Sequence, residues 1–203
     1  MTDSFKTIAD LSTGLYKEKG SRFMAFAYPV KNESEIKDVL KKLNKEYHDA
    51  RHICYAWVLG PEKERFRAND DGEPSGTGGK PILNQIQSFN LTNILVAVVR
   101  YFGGTLLGTS GLLNAYRTAA ADALANASIL DNSVNKQFRI RFPYEQMNSV
   151  LSVIKEMKLE PVFLQNDLST VLELQVPVKH ANALLKKISL YKQVEIEILD
   201  NID

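Results

Sequence analysis

The stretch from Asn69 to Arg117, NDDGEPSGTGGKPILNQIQSFNLTNILVAVVRYFGGTLLGTSGLLNAYR, limits what this chain can fold into more than any other. Ile94 to Val99 is an unbroken apolar run rich in β-branched side chains, which reads as a strand covered on both faces. That strand empties into Gly103 and Gly104. The turn Gly108-Thr109-Ser110-Gly111 then opens a helix on which Leu112, Leu113, Tyr116, Ala120, Ala123, Leu124 and Ala127 recur at helical spacing. Upstream, Thr77, Gly78, Gly79 and Lys80 lead into another helix near Pro81. Proline is expected at its first position, where a missing N–H costs nothing.

A helix entrance leaves backbone N–H groups without intrahelical acceptors, and such groups can face an anion. The expectation is that Gly103–Gly111 and Thr77–Lys80 meet in one amide-rich pocket. The candidate anion- or RNA-binding residues are Gly78, Gly79, Lys80, Arg100, Tyr101, Gly103, Gly104, Gly108, Thr109, Ser110 and Gly111. The competing reading is that these glycines only permit positive φ and close packing of strand on helix. Gly103, Gly108 and Ser110 satisfy the spacing of a P-loop, but Thr109 stands where its lysine is required, which argues against a conventional nucleotide hydrolase. The piece LGTSGL is more similar to the short phosphate loop of GHMP kinases.

Asp70, Asp71 and Glu73 crowd one loop. Carboxylates so close raise one another's pKa or invite a hard cation such as Mg²⁺, while the bland alternative is a hydrated turn capping the next helix. An enzyme built here would use Asp70, Asp71, Glu73 and His52 as catalytic groups, with Asp70 and Asp71 on the metal. His52 and Cys54 lie two apart on a strand, so they share a face; base rates favour Cys54 as a small core hydrophobe over a nucleophile. Arg51, Arg65, Arg67, Lys80 and Arg100 fall near the same loops. They form either a basic patch, with Tyr101 or Phe102 to stack on a base, or ion pairs for the acidic loop.

With 25 basic and 24 acidic residues the net charge is +1, so no global field draws nucleic acid or anionic membrane, and any such binding needs a local patch. The single cysteine, Cys54, excludes an internal disulfide and a thiolate zinc site. The first residues lack the order of a signal peptide and no apolar run spans a bilayer, so a cytoplasmic location is expected, with no membrane or DNA partner. The patterning predicts strands at Arg22–Val30, His52–Leu59 and Arg65–Asn69, and a helix after Asn32 buried through Ile36, Val39, Leu40 and Leu43. The polar text DNSVNK marks a boundary, giving domains 1–132 and 133–203. The second reads as strand, helix, two strands about a turn at Asn166 and Asp167, helix and strand, a ferredoxin-like βαββαβ sandwich.

RHICYAW, NDDGEPSGTGGKPIL and VAVVRYFGGTLLGTSGLLNAYR, in this order, resemble the Impact/YigZ family (UPF0029), and the second domain resembles the DUF1949 module of its bacterial members. The family commonly has Ser at Asn69, GTAG where Gly78 and Gly79 stand, a second Gly at Ser110 and Arg at Asn114. The resemblance implies an α+β protein of two domains. The first would be an αβ sandwich like a small-subunit ribosomal protein, GHMP kinases and elongation factor G domain IV; the second would be ferredoxin-like. Eukaryotic Impact acts on a kinase pathway largely through an extra N-terminal domain absent from this sequence, so that role is not carried over. What the resemblance implies is a protein without cofactor that binds RNA or the ribosome, with a translation factor as a further partner. An enzyme acting on a phosphorylated small molecule or nucleotide is the alternative.

Overall fold

The computed structural model describes residues 2–164 and 170–199, which fall into two compact units, Thr2–Asn132 and Ser133–Asp203. The architecture is α+β in both. In the first unit five strands form an antiparallel sheet: β2 (Ser12–Glu18), β3 (Ser21–Pro29), β4 (His52–Leu59), β5 (Arg65–Asn69) and β6 (Ile94–Tyr101), in the order β2-β3-β6-β4-β5. A separate pair joins β1 (Ser4–Ile8) to β7 (Ile129–Ser133).

The central strand β6 explains the layers. Alternate side chains of a strand point to opposite faces. Val96 and Val98 pack with Ile82 and Ile86 of helix α2 (Gly79–Ser88) and with Leu112, Tyr116 and Ala120 of helix α3 (Gly108–Ala125). Leu95, Ala97 and Val99 face the other way, toward Ile36 and Leu43 of helix α1 (Glu33–Glu46). The apolar run expected to be covered twice is covered twice.

Local chemistry sets the ends of these elements. Asn32 Oδ1 accepts from the N–H of Glu35, and the Glu35 carboxylate accepts from the N–H of Lys31, so α1 opens with a reciprocal cap. Helix α3 lies close to the sheet because its inner face is built of Ala115, Ala119 and Ala123, all fully buried. Gly14 of β2 completes that fit: a Cβ there would stand 2.3 Å from the Ala123 nitrogen.

Several expectations need correction. Strands β1, β2 and β7 went unread, and β3 begins one residue before the expected Arg22. Pro81 occupies the third position of α2, not the first, since the helix starts at Gly79. Gly108–Gly111 is no loop ahead of α3 but its first turn, and Leu113, expected on the buried stripe, is 42% exposed.

The second unit is a four-stranded antiparallel sheet in the order β11-β8-β10-β9, from β8 (Asn135–Phe142), β9 (Pro161–Leu164), β10 (Thr170–Pro177) and β11 (Glu195–Leu199). Helices α4 (Met147–Glu156) and α5 (Val178–Ile188) cover one face. Phe138, Ile140, Leu172 and Leu174 meet Val150, Ile154, Leu184 and Ile188 in its core. This is the ferredoxin-like order. The expected turn at Asn166 and Asp167 lies outside the described residues.

Candidate functional site

The loop after β5 is organised by Asp70. Its Oδ1 accepts from the backbone N–H groups of Gly78 and Gly79, and its Oδ2 from that of Gly76. Burial alone would raise this carboxyl's pKa, but the three N–H bonds outweigh it and hold the value below the usual aspartate range. The entrance of α2, expected to offer free amides, is therefore already filled by the protein's own anion. Both glycines are also sterically required: a Cβ at Gly78 would reach 2.5 Å from Cys54 Sγ, and one at Gly79 would reach 2.4 Å from the Asn69 nitrogen.

The remaining acidic residues are likewise engaged, each elsewhere. Asp71 Oδ2 accepts from the N–H of Ile53 at 2.7 Å. Glu73 is buried, and its Oε1 accepts from Arg100 and, at 2.8 Å, from the hydroxyl of Tyr116. The described residues hold no group of three His, Cys, Asp or Glu side chains able to bind a metal ion. The expected pairing of Asp70 and Asp71 around a cation, and the use of Asp70, Asp71 and Glu73 as a catalytic set, give way to three separate structural roles.

His52 and Cys54 do share a face of β4, but not a bond. Cys54 is fully buried and donates to the Asp70 carbonyl oxygen at 2.9 Å; burial pushes its thiol far above the ordinary range. His52 Nδ1 lies 2.6 Å from the Asp71 carbonyl oxygen. A carbonyl only accepts, so Nδ1 carries a proton; of the two neutral tautomers this selects the one whose Nε2 accepts.

Beside His52 across the sheet stands Arg100, in register with it. Its side chain is 9% exposed and ion-paired to Glu73, and its guanidinium carbon lies 5.6 Å from the Phe23 ring centre and 5.8 Å from that of Phe102. The Nε of Arg100 is buried and finds no acceptor among the described residues. A buried donor left unmade costs about 1–3 kcal/mol.

Arg100 lies on the wall of a cleft of about 510 Å³. Its lining comes from Arg51 and His52, from Gly72, Glu73 and Pro74 of the acidic loop, and from Phe102, Leu106, Leu107, Gly108, Thr109 and Leu112. Here the first turn of α3 stays open. Its N-cap, Leu107, offers no side-chain cap, and the backbone N–H groups of Gly108, Thr109 and Ser110 find no acceptor among the described residues. The aligned peptides place roughly half a positive charge at such an end. Arg51 is exposed and has no ion pair or side-chain hydrogen bond among the described residues.

The second glycine loop thus meets the acidic loop at Gly72–Pro74, whereas Thr77–Lys80 lies outside the cleft lining. Lys80 is exposed on α2, and Gly78 and Gly79 are buried. Tyr101, adjacent to Arg100 on β6, falls on the α1 side of the sheet, where its hydroxyl donates to Asp49 at 2.7 Å and Arg22 covers its ring. Phe102 is the aromatic that reaches the cleft. Gly103 is held against the β2–β3 turn, since a Cβ would reach 2.0 Å from the Gly20 carbonyl carbon, and Gly104 and Gly108 take positive φ. Of the basic residues, Arg65 instead pairs with Glu33 of α1 at 2.7 Å. Leu106, Leu107 and Leu112 were not read as cleft residues, because two leucines between glycines follow no helical or strand period.

The family model of the Impact N-terminal domain matches residues 19–124. The IMPACT family member YvyE of Bacillus subtilis is 28% identical over 183 residues, covering 90% of this chain and 84% of its own. YigZ of Escherichia coli is 33% identical over 138 residues, covering 67% of this chain and 68% of its own. A solved crystal structure of a hypothetical protein, 26% identical, aligns with 99% of this chain and 100% of its own at a TM-score of 0.74. The family match runs from the β2–β3 turn to the last turn of α3 and so takes in every wall of the cleft: the chain belongs to the IMPACT family.

Proposed function

We propose that this chain is a non-catalytic, cytoplasmic protein that binds RNA or the ribosome and thereby regulates translation, with a translation factor as a further partner. The cleft of the first unit is its contact with phosphate. The observation that carries this reading is the convergence of Arg51, Arg100 and the open first turn of α3 on one cavity, with Phe102 in its lining. Because the whole chain is only +1, attraction to a polyanion has to come from such a local concentration of donors. The resemblance of the two-domain plan to ribosomal protein and elongation factor domains supports placing that polyanion on the ribosome. No helix of the described residues is long and apolar enough to cross a membrane.

Chemistry at the acidic loop is disfavoured by what its carboxylates already do. Asp70 holds three amides, Asp71 holds Ile53, and Glu73 neutralises a buried guanidinium. The test is co-sedimentation with ribosomes and with structured RNA across a salt series. Retention at low salt, falling steeply as salt rises and weakened further by Arg51→Glu, is the expected result. No retention at low salt would remove this reading.

A further inference from the structure

Resting on that reading, we infer that the cleft is a subsite for one nucleotide: a phosphate ester seats on the first turn of α3 and Arg51, and its ring lies against Phe102 and the leucines. Two elements that line this cleft carry donors without acceptors among the described residues. One is the run of backbone N–H groups of Gly108, Thr109 and Ser110; the other is Arg100, whose side chain is more than nine-tenths buried and whose Nε–H finds no acceptor among the described residues. Buried donors in folded proteins are nearly always paired, so an acceptor belongs here.

The charge balance selects the kind of acceptor. Glu73 offsets Arg100, Arg51 is uncompensated, and the helix end adds roughly half a charge, leaving a net of roughly one and a half positive. A single phosphate ester matches that; a triphosphate would exceed it. The apolar lining selects what the phosphate carries. Inorganic phosphate would leave Phe102, Leu106, Leu107 and Leu112 in contact with water, whereas a flat ring covers them. The cavity volume falls in the range of about 300–1,000 Å³ usual for small-ligand sites. His52 adds a direction: with Nδ1–H held by the Asp71 carbonyl, the other ring nitrogen, Nε2, is left for a polar group of the sugar or base.

The experiment titrates the full chain with 5′-AMP, 5′-UMP, adenosine and inorganic phosphate by isothermal calorimetry, repeated on Arg51→Ala and Phe102→Ala, whose side chains are exposed enough to be lost without unfolding. Both nucleotides bind, adenosine and phosphate each bind roughly tenfold more weakly or worse, and each variant loses on the order of tenfold. Amide spectra place the shifts at Gly108–Leu112. Equal binding of phosphate and AMP, or AMP binding unmoved by both variants, overturns the inference. Ribosome co-sedimentation on the same samples separates the two levels. Retention without nucleotide binding sinks the subsite alone; nucleotide binding without retention sinks the RNA reading and leaves a small-molecule site.

Discussion

Arg100 and Glu73 form an ion pair whose side chains are 9% and 3% exposed, both lining the cleft, with the carboxylate anchored by the Tyr116 hydroxyl. Two charges taken this far from water are stable only as a pair. Glu73 therefore does for Arg100 what a bound anion does only in part: it holds the side chain in place while leaving Nε uncommitted.

Removing one partner strands the other. Glu73→Ala is expected to cost about 3–5 kcal/mol in urea denaturation. Tyr116→Phe, which removes the hydroxyl bonded to Glu73 and adjacent to the Cys54 thiol, should cost about 1 kcal/mol. The double replacement Glu73→Leu with Arg100→Met should recover most of the loss, because it removes both charges and keeps apolar volume. If the double variant is as unstable as Glu73→Ala, the pair is not what sets the cost.

Asp70 gives a pH-dependent test. Its folded pKa is depressed, so its contribution is complete above the unfolded aspartate value of about 3.9 and is lost as pH falls through the lower, folded value. Asp70→Asn should be less stable than the parent at neutral pH by roughly 2 kcal/mol, since an amide oxygen accepts more weakly than a carboxylate from Gly76, Gly78 and Gly79. The gap should narrow as the pH drops below about 4. Urea midpoints of both proteins between pH 7 and pH 2 measure it; a constant gap would mean the amides do not bind a charged group.

The glycines separate into two mechanisms with different penalties. Gly79→Ala forces a methyl to within 2.4 Å of the Asn69 backbone nitrogen, so the strand end or the helix must move. Overpacking of this kind costs about 1–3 kcal/mol or more. Gly104 has φ +88 but nothing within 4 Å of its missing Cβ, so Gly104→Ala should cost only the left-handed penalty of about 1–2 kcal/mol. Thermal unfolding should rank Gly79→Ala below Gly104→Ala, and the reverse order would contradict the close contact.

How far the sequence could be read depends on whether a residue's role is periodic. Val96 and Val98 against Leu95 and Ala97 announce a two-sided strand through a run of apolar residues, and Phe138, Ile140 and Leu172 announce a one-sided sheet through alternation. Strand β2 is silent by the same measure, being a polar edge strand. Its turn uses Lys19 and Gly20 at φ +44 and +80 without the Asn-Gly pair that usually marks such hairpins. In the site, the open amides of α3 were legible from the glycines, since any helix must leave its first N–H groups unpaired. The reading of the acidic turn as a cap on the next helix holds, since Asp70 folds back onto α2 and occupies the other set; which of the three carboxylates does so could not be read. That outcome depends on a contact eight and nine residues along the chain, set by loop geometry and not by spacing.

The fold suppresses the chemistry of Cys54. The thiol is fully buried, donates to the Asp70 carbonyl, and has Glu73, Asp70 and Asp71 nearby to disfavour a negative charge. Since the thiolate is the nucleophile, alkylation of the native protein has to wait for the loop between β5 and α2 to open. Iodoacetamide should modify Cys54 in native protein at pH 8 at least about a thousandfold more slowly than in urea, which corresponds to an opening cost of about 4 kcal/mol. Asp70→Asn should speed the native reaction by loosening the cap without exposing the core of α3, and added 5′-AMP should slow it if the occupied cleft holds Gly72–Pro74 in place. Labelling of the native parent at the unfolded rate would show that the acidic loop does not cover the thiol, and would remove the structural role assigned here to Asp70.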